Sequence, residues 1–379
     1  MSQLQVSAPA ITRSAVLLFF MPFANSVNGA GSAACPSNRY ASTVGLALTL
    51  AQDWSPWGLP ARPFLDLKAM TPLPIIIDCD PGVDDAIALL LALRSSELAV
   101  QAITVVAGNV PLALTQRNAR QICELLGRDD IPIYAGCPRP LVRSLVTAED
   151  IHGKTGLEGA TLPDPTLPLA SRHAVSYLIE TLQSAPVPLT LATLGPLTNI
   201  AVALIQVPAI AAKIERIVMM GGGITQGNIT PVAEFNIYVD PHAAQVVFAA
   251  GMPITFLSLD ITHQVLTTPA RLAAIHAVGN PFSDFATAVL SHYGKADEAL
   301  LGTSGAPLHD PCVIAYLLRP DLFTTEPGQV QVELNSPLTL GQTVVSAASP
   351  DRLPVDIVRS VDAAGVYELL TNRLGHVVN

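Results

Sequence analysis

Short, strongly apolar runs recur from residue 74 onward, and each run ends in polar residues and glycines. The first run, Pro74–Ile77, is continuous and rich in isoleucine, which is typical of a strand buried on both faces of a sheet. The same pattern predicts further strands with polar tips within residues 99–109, 131–136, 188–205, 214–223 and 253–262.

Two segments between these runs carry helical signals. Val83–Leu93 has the length of a short helix, and residues 116–127 predict a second helix that ends at Gly127, a residue that commonly terminates helices. Strands alternating with helices predict an α/β fold. We expect a single domain over residues 70–379, with a mostly parallel, Rossmann-like central sheet flanked by helices.

Ligands bind such sheets at the carboxyl ends of the strands, so the polar tips are expected to form the functional site. These tips are residues 78–85, 108–109, 194–199, 221–236, 260 and 309–310.

Residues 1–69 differ from the rest of the chain. They are rich in Ser, Ala, Pro and Gly and hold both tryptophans without a sustained period, so we expect a non-structural extension, with Met70 as an alternative start. Residues 15–24 also resemble the apolar part of a signal peptide. The expected cytoplasmic location therefore has an alternative, export, in which residues 13–34 act as the signal.

Composition and charge limit the classes of partner. Hydrophobic residues make up 50% of the chain and charged residues 13%, which indicates a large buried core, and no apolar run reaches the roughly 18–20 residues of a membrane-spanning helix. The net charge is −10 and no Lys/Arg block is present, so neither nucleic acid nor a membrane is an expected partner. The cysteines form no CxxC pair, so neither a zinc site nor a disulfide framework is expected.

An acidic turn follows the first strand in the segment "IIIDCDPGVDDA". Its four carboxylates, at positions 78, 80, 84 and 85, repel one another and are expensive to bury unpaired. The N-terminus of the following helix can stabilise one or two of them. A hard divalent cation accounts for all four, because it takes several oxygen ligands. The alternative is that Asp84 and Asp85 only cap the helix and Asp78 bonds to neighbouring backbone.

The segment "DCDPGVDDAIALLLAL" resembles the signature of the inosine–uridine preferring nucleoside hydrolases. Further segments agree with that family in the same order: "VVAGN", "IHGKTGLEG", "LGPLTNIAVAL", "MMGGGITQGNITPVAEFNIYVDPHAA" and "LHDPCVIAY". The resemblance begins near residue 73 and runs almost to the C-terminus. It implies hydrolysis of the N-glycosidic bond of ribonucleosides, purine or pyrimidine or both, to ribose and free base, by a homo-oligomer (dimer or tetramer).

The resemblance also implies a Ca²⁺ ion that holds the ribose hydroxyls and the attacking water. By motif position, its ligands are Asp80, Asp85, Asp310 and the backbone carbonyl of Leu194. Asp80 is also the implied general base, and His309 is a candidate proton donor to the leaving base.

Seven further residues match positions that bind the nucleoside or order the site. They are Asp84, Asn109, His152, Met220, Asn228, Glu234 and Asn236. From the residues alone, three alternatives stay open: Asn228 in a tight turn, Met220 in the core and His152 in an exposed loop. The remaining histidines are expected to be structural: His173, His242, His263, His276, His292 and His376.

Three other classes of protein share parts of this pattern. "IHGKTG" ends like a nucleotide-binding P-loop, but Ala148 stands at the first glycine position and no strand precedes it. "IIIDCD" resembles the start of an aspartate-nucleophile phosphatase, which would also need a later GDxxxD-like motif. The signal-like segment suggests an exported solute-binding protein. The preferred base is left open, because base contacts are expected from loops such as residues 291–306.

Overall fold

The protein is described by a computed structural model that covers residues 71–301 and 305–376, including all side chains except those of residues 294–301. The predicted extension, residues 1–69, lies outside the described residues. The described strands are β1 (Leu73–Cys79), β2 (Leu98–Val105), β3 (Ile133–Ala135), β4 (Leu189–Thr193), β5 (Ile214–Met220), β6 (Ile254–Leu257), β7 (Leu266–Thr267), β8 (Ala306–Pro307), β9 (Phe323–Val332), β10 (Thr343–Ala347) and β11 (Val355–Val361).

Helices connect most of these strands. They are α1 (Val83–Leu93), α2 (Leu112–Leu125), α3 (Glu149–His152), α4 (Ala174–Ser184), α5 (Thr198–Gln206), α6 (Phe235–Val239), α7 (Pro241–Ala249), α8 (Leu259–Thr262), α9 (Pro269–His276), α10 (Pro281–Leu301), α11 (Pro311–Leu318) and α12 (Ala363–Gly375). Among the helices described here, none is both long and apolar enough to cross a membrane.

A nine-stranded sheet has the order β10-β9-β11-β6-β5-β4-β1-β2-β3, and β7 and β8 form a separate antiparallel pair. The pairs from β3 to β11 along this order are parallel, and only β9 and β10 add antiparallel pairing at one edge. The succession 3-2-1-4-5-6 is that of a Rossmann fold. The predicted fold class is confirmed.

The centre of the sheet is buried on both faces. Alternate residues of β1 point to opposite faces, and each face packs against a hydrophobic core. Ile75 and Ile77 belong to a hydrophobic core that includes α1, α2 and α11, whereas Ile76 belongs to a second core with α4, α5 and α7. All three isoleucines have no exposed surface. This burial explains the unbroken apolar run that predicted the strand.

Most predicted elements lie where the sequence placed them. Helix α1 has the predicted bounds, and β1 extends the predicted strand to Leu73 and Cys79. Helix α2 begins at Leu112, earlier than predicted, with Pro111 as its N-cap: the carbonyl of Pro111 accepts from the N–H groups of Leu114 and Thr115. It ends before Gly127, whose φ of 64° is left-handed. Strands β7 to β11 were not predicted.

The strand order reverses between β1 and β4, because the chain passes from β1 outward to β3 and then returns to pair β4 with the other side of β1. Neighbouring connections leave on opposite faces at such a point, so a crevice opens at the carboxyl ends of the two strands. The acidic turn follows β1, and Leu194 follows β4. The topology therefore brings these predicted site residues together.

Candidate active site

A cavity of about 290 Å³ opens at this crevice. It is lined by every predicted site residue except Asp80 and Asp85, which lie buried: Asp84, Asn109, His152, Leu194, Met220, Asn228, Glu234, Asn236, His309 and Asp310. Residues distributed over about 230 positions of sequence thus meet in one place. The structure brings the predicted set together.

The acidic turn is folded around the carboxylate of Asp85. One oxygen accepts from the backbone N–H of Asp80 at 3.2 Å, and the other accepts from the N–H of Gly82 at 3.0 Å and from Nδ2 of Asn109 at 2.9 Å. Asp85 is the third residue of α1, so it also closes the first turn of that helix. The carboxylate therefore fixes the shape of the turn that carries the other acidic residues.

Asp80 is completely buried next to this turn. Its Oδ2 accepts from the backbone N–H of Asn109 at 2.7 Å, and its Oδ1 receives no hydrogen bond from the described residues. A Cβ atom at Gly108 or Gly195 would overlap the carboxylate, so only glycine leaves room for it. Burial, and then the nearby Asp85, raise the pKa of Asp80 well above its usual value.

Asp84, Asp85 and Asp310 can each place one carboxylate oxygen within 4.8 Å of the others, and all three residues are buried. Asp85 and Asp310 are hydrogen-bonded to each other. Burial, and then the neighbouring carboxylates, raise the pKa of Asp310 far above its usual value. Carboxylates this close cannot all ionise unless a cation compensates the charge. The oxygen-only donor set and the open Oδ1 of Asp80 fit a hard divalent metal ion.

The structure adds Asp84 to this group, whereas the sequence placed it among the nucleoside-binding residues. Asp78, the first acid of the motif, has a different role. Its Oδ2 accepts from Oγ1 of Thr104 at 2.6 Å and from Nδ2 of Asn199 at 2.8 Å, which joins β1 to β2 and to α5. Burial raises the pKa of Asp78 to about 7, against the effect of these two hydrogen bonds. The alternative that Asp78 bonds to neighbouring backbone is wrong, since its partners are side chains.

Leu194 lines the cavity, and both of its backbone polar groups are hydrogen-bonded. The N–H of Leu194 donates to the backbone oxygen of Asp78 at 2.8 Å, which continues the pairing of β4 with β1. Its carbonyl accepts from Nδ2 of Asn236 at 2.7 Å. The same amide lies 3.6 Å from Sδ of Met220, so Met220 is both well buried and part of the cavity wall.

Glu234 holds the loop that closes another side of the cavity. Its carboxylate accepts from the backbone N–H groups of Asn236 at 2.9 Å, Ile237 at 3.1 Å and Gly222 at 2.7 Å. It is thus the N-cap of α6 and also fastens the tip of β5. Asn228 accepts from the N–H of Phe235 at 2.9 Å, so it both stabilises a loop turn and lines the cavity.

His152 is 5% exposed, so the alternative of an exposed loop histidine is wrong. Its Nδ1 accepts from the backbone N–H of Val83 at 3.1 Å. A ring that accepts at Nδ1 carries its hydrogen on Nε2 when neutral. Burial lowers the pKa of His152 to about 3, so the neutral form prevails at pH 7.

His309 is also buried, and its Nδ1 lies 2.7 Å from Oγ1 of Thr262. Burial lowers its pKa to about 3, with His263 and His152 contributing. His263 was expected to be structural, but it lines the cavity with its ring 5.7 Å from that of His309. The sequence did indicate a polar tip after β6, close to His263, but it named Asp260 there. Asp260 instead accepts from the backbone N–H groups of Ile224 and Thr225.

Tyr293, on α10, also lines the cavity, and its ring lies 5.5 Å from that of His152. Nothing in the local sequence pattern of a long helix marks this residue as part of a site. The fold and the cavity together define an α/β enzyme in which a buried carboxylate cluster, suited to a metal ion, lies beneath a small polar pocket at the switch point of a Rossmann-like sheet.

Comparison with known proteins identifies the enzyme class further. Residues 75–368 match the family described as inosine-uridine preferring nucleoside hydrolase, and the chain belongs to that family. It is therefore a ribonucleoside hydrolase, an enzyme that hydrolyses N-glycosidic bonds, and its family depends on a metal ion. This membership decides against the aspartate-nucleophile phosphatase and the solute-binding protein.

Relatives align with about four-fifths of the chain. An uncharacterized protein of Schizosaccharomyces pombe is 47% identical over 307 residues, which are 80% of this chain and 99% of that protein. The pyrimidine-specific ribonucleoside hydrolase RihA of Enterobacter sp. (strain 638) is 45% identical over 307 residues, 80% of this chain and 97% of RihA.

Solved structures give the same result. A plant nucleoside hydrolase superposes with a TM-score of 0.76 at 33% identity, covering 81% of this chain and 100% of that one. The purine-preferring ribonucleoside hydrolase of Gardnerella vaginalis also gives 0.76, at 32% identity, covering 80% of this chain and 98% of the other.

Proposed function

We propose that this hydrolase binds Ca²⁺ through Asp80, Asp85, Asp310 and the carbonyl of Leu194, and that it hydrolyses pyrimidine ribonucleosides to ribose and free base. The observation that carries the metal assignment is the buried, oxygen-only cluster of Asp84, Asp85 and Asp310. Asp80 is included because it is completely buried and its N–H donates to Asp85 of that cluster. Calcium accepts six to eight oxygen ligands in irregular arrangements, whereas zinc prefers nitrogen and sulfur and magnesium demands a near-octahedral shell.

Support for a pyrimidine base comes from similarity. Identity is 45% with the pyrimidine-specific hydrolase of Enterobacter, compared with 32% for the purine-preferring hydrolase of Gardnerella vaginalis. The alignments span 97% of the Enterobacter protein and 98% of the Gardnerella protein, so the difference in identity is not caused by partial alignment.

When bound, the cation would compensate the carboxylate charge, acidify a water molecule and attract the ribose hydroxyls. Asp80 is the general base in this proposal. Its Oδ2 accepts from the N–H of Asn109 and its Oδ1 receives no hydrogen bond from the described residues, so the carboxylate has lone pairs left for both the cation and a proton. The glycines at 108 and 195 keep other side chains away from that carboxylate.

The polar wall of the cavity would hold the ribose. We assign to the secondary hydroxyls Asp84, which belongs to the carboxylate cluster, and Asn109 and Asn236, which line the same cavity. Asn228 and Glu234, on the loop above α6, are assigned to the 5′-hydroxyl, and Met220 flanks the sugar. The ribosyl group becomes positively charged as the bond to the base breaks, and the neighbouring carboxylates stabilise that charge.

The departing base gains electrons and needs a proton or a hydrogen bond. We assign this task to His309, with Thr262 donating to its Nδ1 so that the neutral ring presents Nε2–H. His152 lies at the same cavity with its own Nε2–H and would contact the nucleoside from the α3 side.

The direct test is release of ribose from a panel of uridine, cytidine, inosine and adenosine. Chelator-treated enzyme should release little ribose, Ca²⁺ should restore the activity, and uridine or cytidine should give the highest kcat/KM. Preference for inosine would overturn the base assignment, and full activity in chelator would overturn the calcium assignment. The oligomeric state, predicted to be a dimer or tetramer, is read from sedimentation equilibrium of the same sample.

A further inference from the structure

Asn118, on α2, lies behind the acidic turn and outside the cavity. It is completely buried. Its Nδ2 donates to the backbone oxygen of Pro81 at 2.9 Å and to the backbone oxygen of Thr155 at 2.8 Å. A primary amide has two N–H donors, so one is used on the acidic turn and the other on the segment that follows His152.

On the turn side, Pro81 is the residue between the two N–H groups that grip Asp85. The N–H of Asp80 donates to one oxygen of Asp85, and the N–H of Gly82 donates to the other. The carbonyl of Pro81 and the N–H of Gly82 belong to the same planar peptide group, so a hydrogen bond that fixes this carbonyl also fixes the direction in which Gly82 donates to Asp85. Asn118 thus stabilises the acidic turn from the side away from the cavity, and the same turn positions the carboxylate of Asp85.

On the other side, Thr155 lies three residues beyond His152. The segment is already docked at His152, whose Nδ1 accepts from Val83. At Gly156, φ is +84° and a Cβ atom would lie 2.7 Å from Nδ2 of Asn118, so glycine is required for the segment to approach this closely. The acidic turn is therefore joined to the His152 segment by the hydrogen bond from Val83 to His152 and by the two hydrogen bonds of Asn118. Of these links, Asn118 is the one outside the cavity.

We propose that Asn118 is a positioning residue that couples Asp85 to His152, so that cation affinity and the placement of the cavity histidine depend on one buried amide. This inference rests on the proposed function, because it takes Asp85 as a cation ligand. Partners that orient metal ligands typically change metal affinity or activity by about 10–100-fold when they are removed.

Gln121 provides a matched control on the same helix. Its Nε2 also donates to two backbone carbonyls, those of Leu162 at 3.1 Å and Pro163 at 2.7 Å. It is 5% exposed and also fastens the chain that follows α3. Unlike Asn118, it makes no hydrogen bond to the acidic turn among the described contacts.

The test compares Asn118→Ala and Asn118→Leu with Gln121→Ala. The leucine variant keeps the buried volume while removing both donors, so it remains informative if the alanine variant fails to fold. Three experiments are carried out on the full-length protein: calorimetry for Ca²⁺ affinity, amide hydrogen exchange of residues 80–85 and 152–156, and steady-state kinetics for kcat and KM of ribose release from uridine.

We expect the Asn118 variants to lose about 10–100-fold in Ca²⁺ affinity, to raise KM, and to exchange faster in both segments. Gln121→Ala should leave Ca²⁺ affinity and exchange of residues 80–85 close to the wild-type values. In a double-mutant cycle, Asn118→Leu should raise KM much less when His152 is already alanine. Additive effects, or an Asn118 variant that behaves like Gln121→Ala, would overturn the coupling.

Failure of the proposed function gives a different pattern. If the wild-type protein bound no Ca²⁺ or released no ribose, the metal or substrate assignment would be wrong. Hydrogen exchange would still report whether removing Asn118 loosens the two segments together, in the metal-free protein, whatever the substrate. Faster exchange in only one segment would refute the coupling on its own.

Discussion

Replacing Asp80 by asparagine tests the proposed base with little change of shape. The amide oxygen of the variant can still accept from the N–H of Asn109, which now donates to Oδ2 at 2.7 Å. The proton acceptor is lost, and positioned proton transfer typically contributes about 10²–10⁴-fold to the rate. At about 1.4 kcal/mol per tenfold, we expect the barrier to rise by about 3–5 kcal/mol at saturating Ca²⁺.

The same variant should have the opposite effect on stability without metal. Burial and the nearby Asp85 raise the pKa of Asp80, which means that its charged form is disfavoured in the fold. A neutral amide removes that repulsion, so Asp80→Asn should have a higher Tm than the wild-type protein in chelator. General damage to the fold would instead lower Tm and activity together.

Asp78→Asn is the matched control, since Asp78 lies on β1 two residues before Asp80 and is buried to the same degree. Its partners, Thr104 and Asn199, both donate to one oxygen, which an asparagine carbonyl can replace. We expect kcat close to wild type for this variant. The assay is single-turnover ribose release from uridine over a Ca²⁺ titration. An Asp80→Asn enzyme that reaches near-normal turnover once Ca²⁺ is saturating would refute the assignment of the base.

Three further outcomes are expected. Burial raises the pKa of Asp78 from 3.8 to about 7, so ionisation of this residue destabilises the fold as pH rises. The gain in free energy of unfolding from Asp78→Asn, measured by denaturant titration in chelator, should therefore grow between about pH 4 and pH 7 and then level off. A gain that does not change with pH would contradict the raised pKa. His309→Ala should slow hydrolysis of uridine by about 10²–10⁴-fold but leave hydrolysis of a p-nitrophenyl riboside nearly unchanged, because that leaving group needs no proton. The control is His276→Ala, at an exposed position, which should leave both rates unchanged. Equal losses on both substrates after His309→Ala would show that His309 does not act on the leaving group. A chain that begins at Met70 should fold and retain kcat/KM, as judged by circular dichroism and ribose release, and an insoluble or inactive product would show that residues 1–69 are needed.

The parts of the fold that the sequence predicted are those with unambiguous local signals. Ile75–Ile77 are buried on both faces of the sheet, and α1 begins directly after a Pro-Gly turn, so the positions of β1 and α1 follow from the chain itself. Strand β9 alternates between buried and more exposed positions only in its C-terminal half, and it pairs with β10 and β11, the next two strands of the chain. Residues 324–327 of its N-terminal half are all exposed, so this half carries no alternation that would mark a strand.

The candidate site divides in the same way. The acidic residues were found because four carboxylates in one turn demand an explanation. His263 and Tyr293 were not, because they reach the cavity from the end of β6 and from α10, and only the packed fold brings them to His309 and His152. The backbone contacts of Glu234 were also invisible, since its three N–H partners are fixed by the shape of the loop.

The most direct test of the account is to measure Ca²⁺ occupancy and ribose release on the same metal-free sample as Ca²⁺ is added. The carboxylate cluster predicts one activating ion per chain, with ribose release from uridine rising in proportion to occupancy, and Asp310→Asn should weaken both together. Full hydrolysis of uridine by protein shown to be free of bound metal would contradict it.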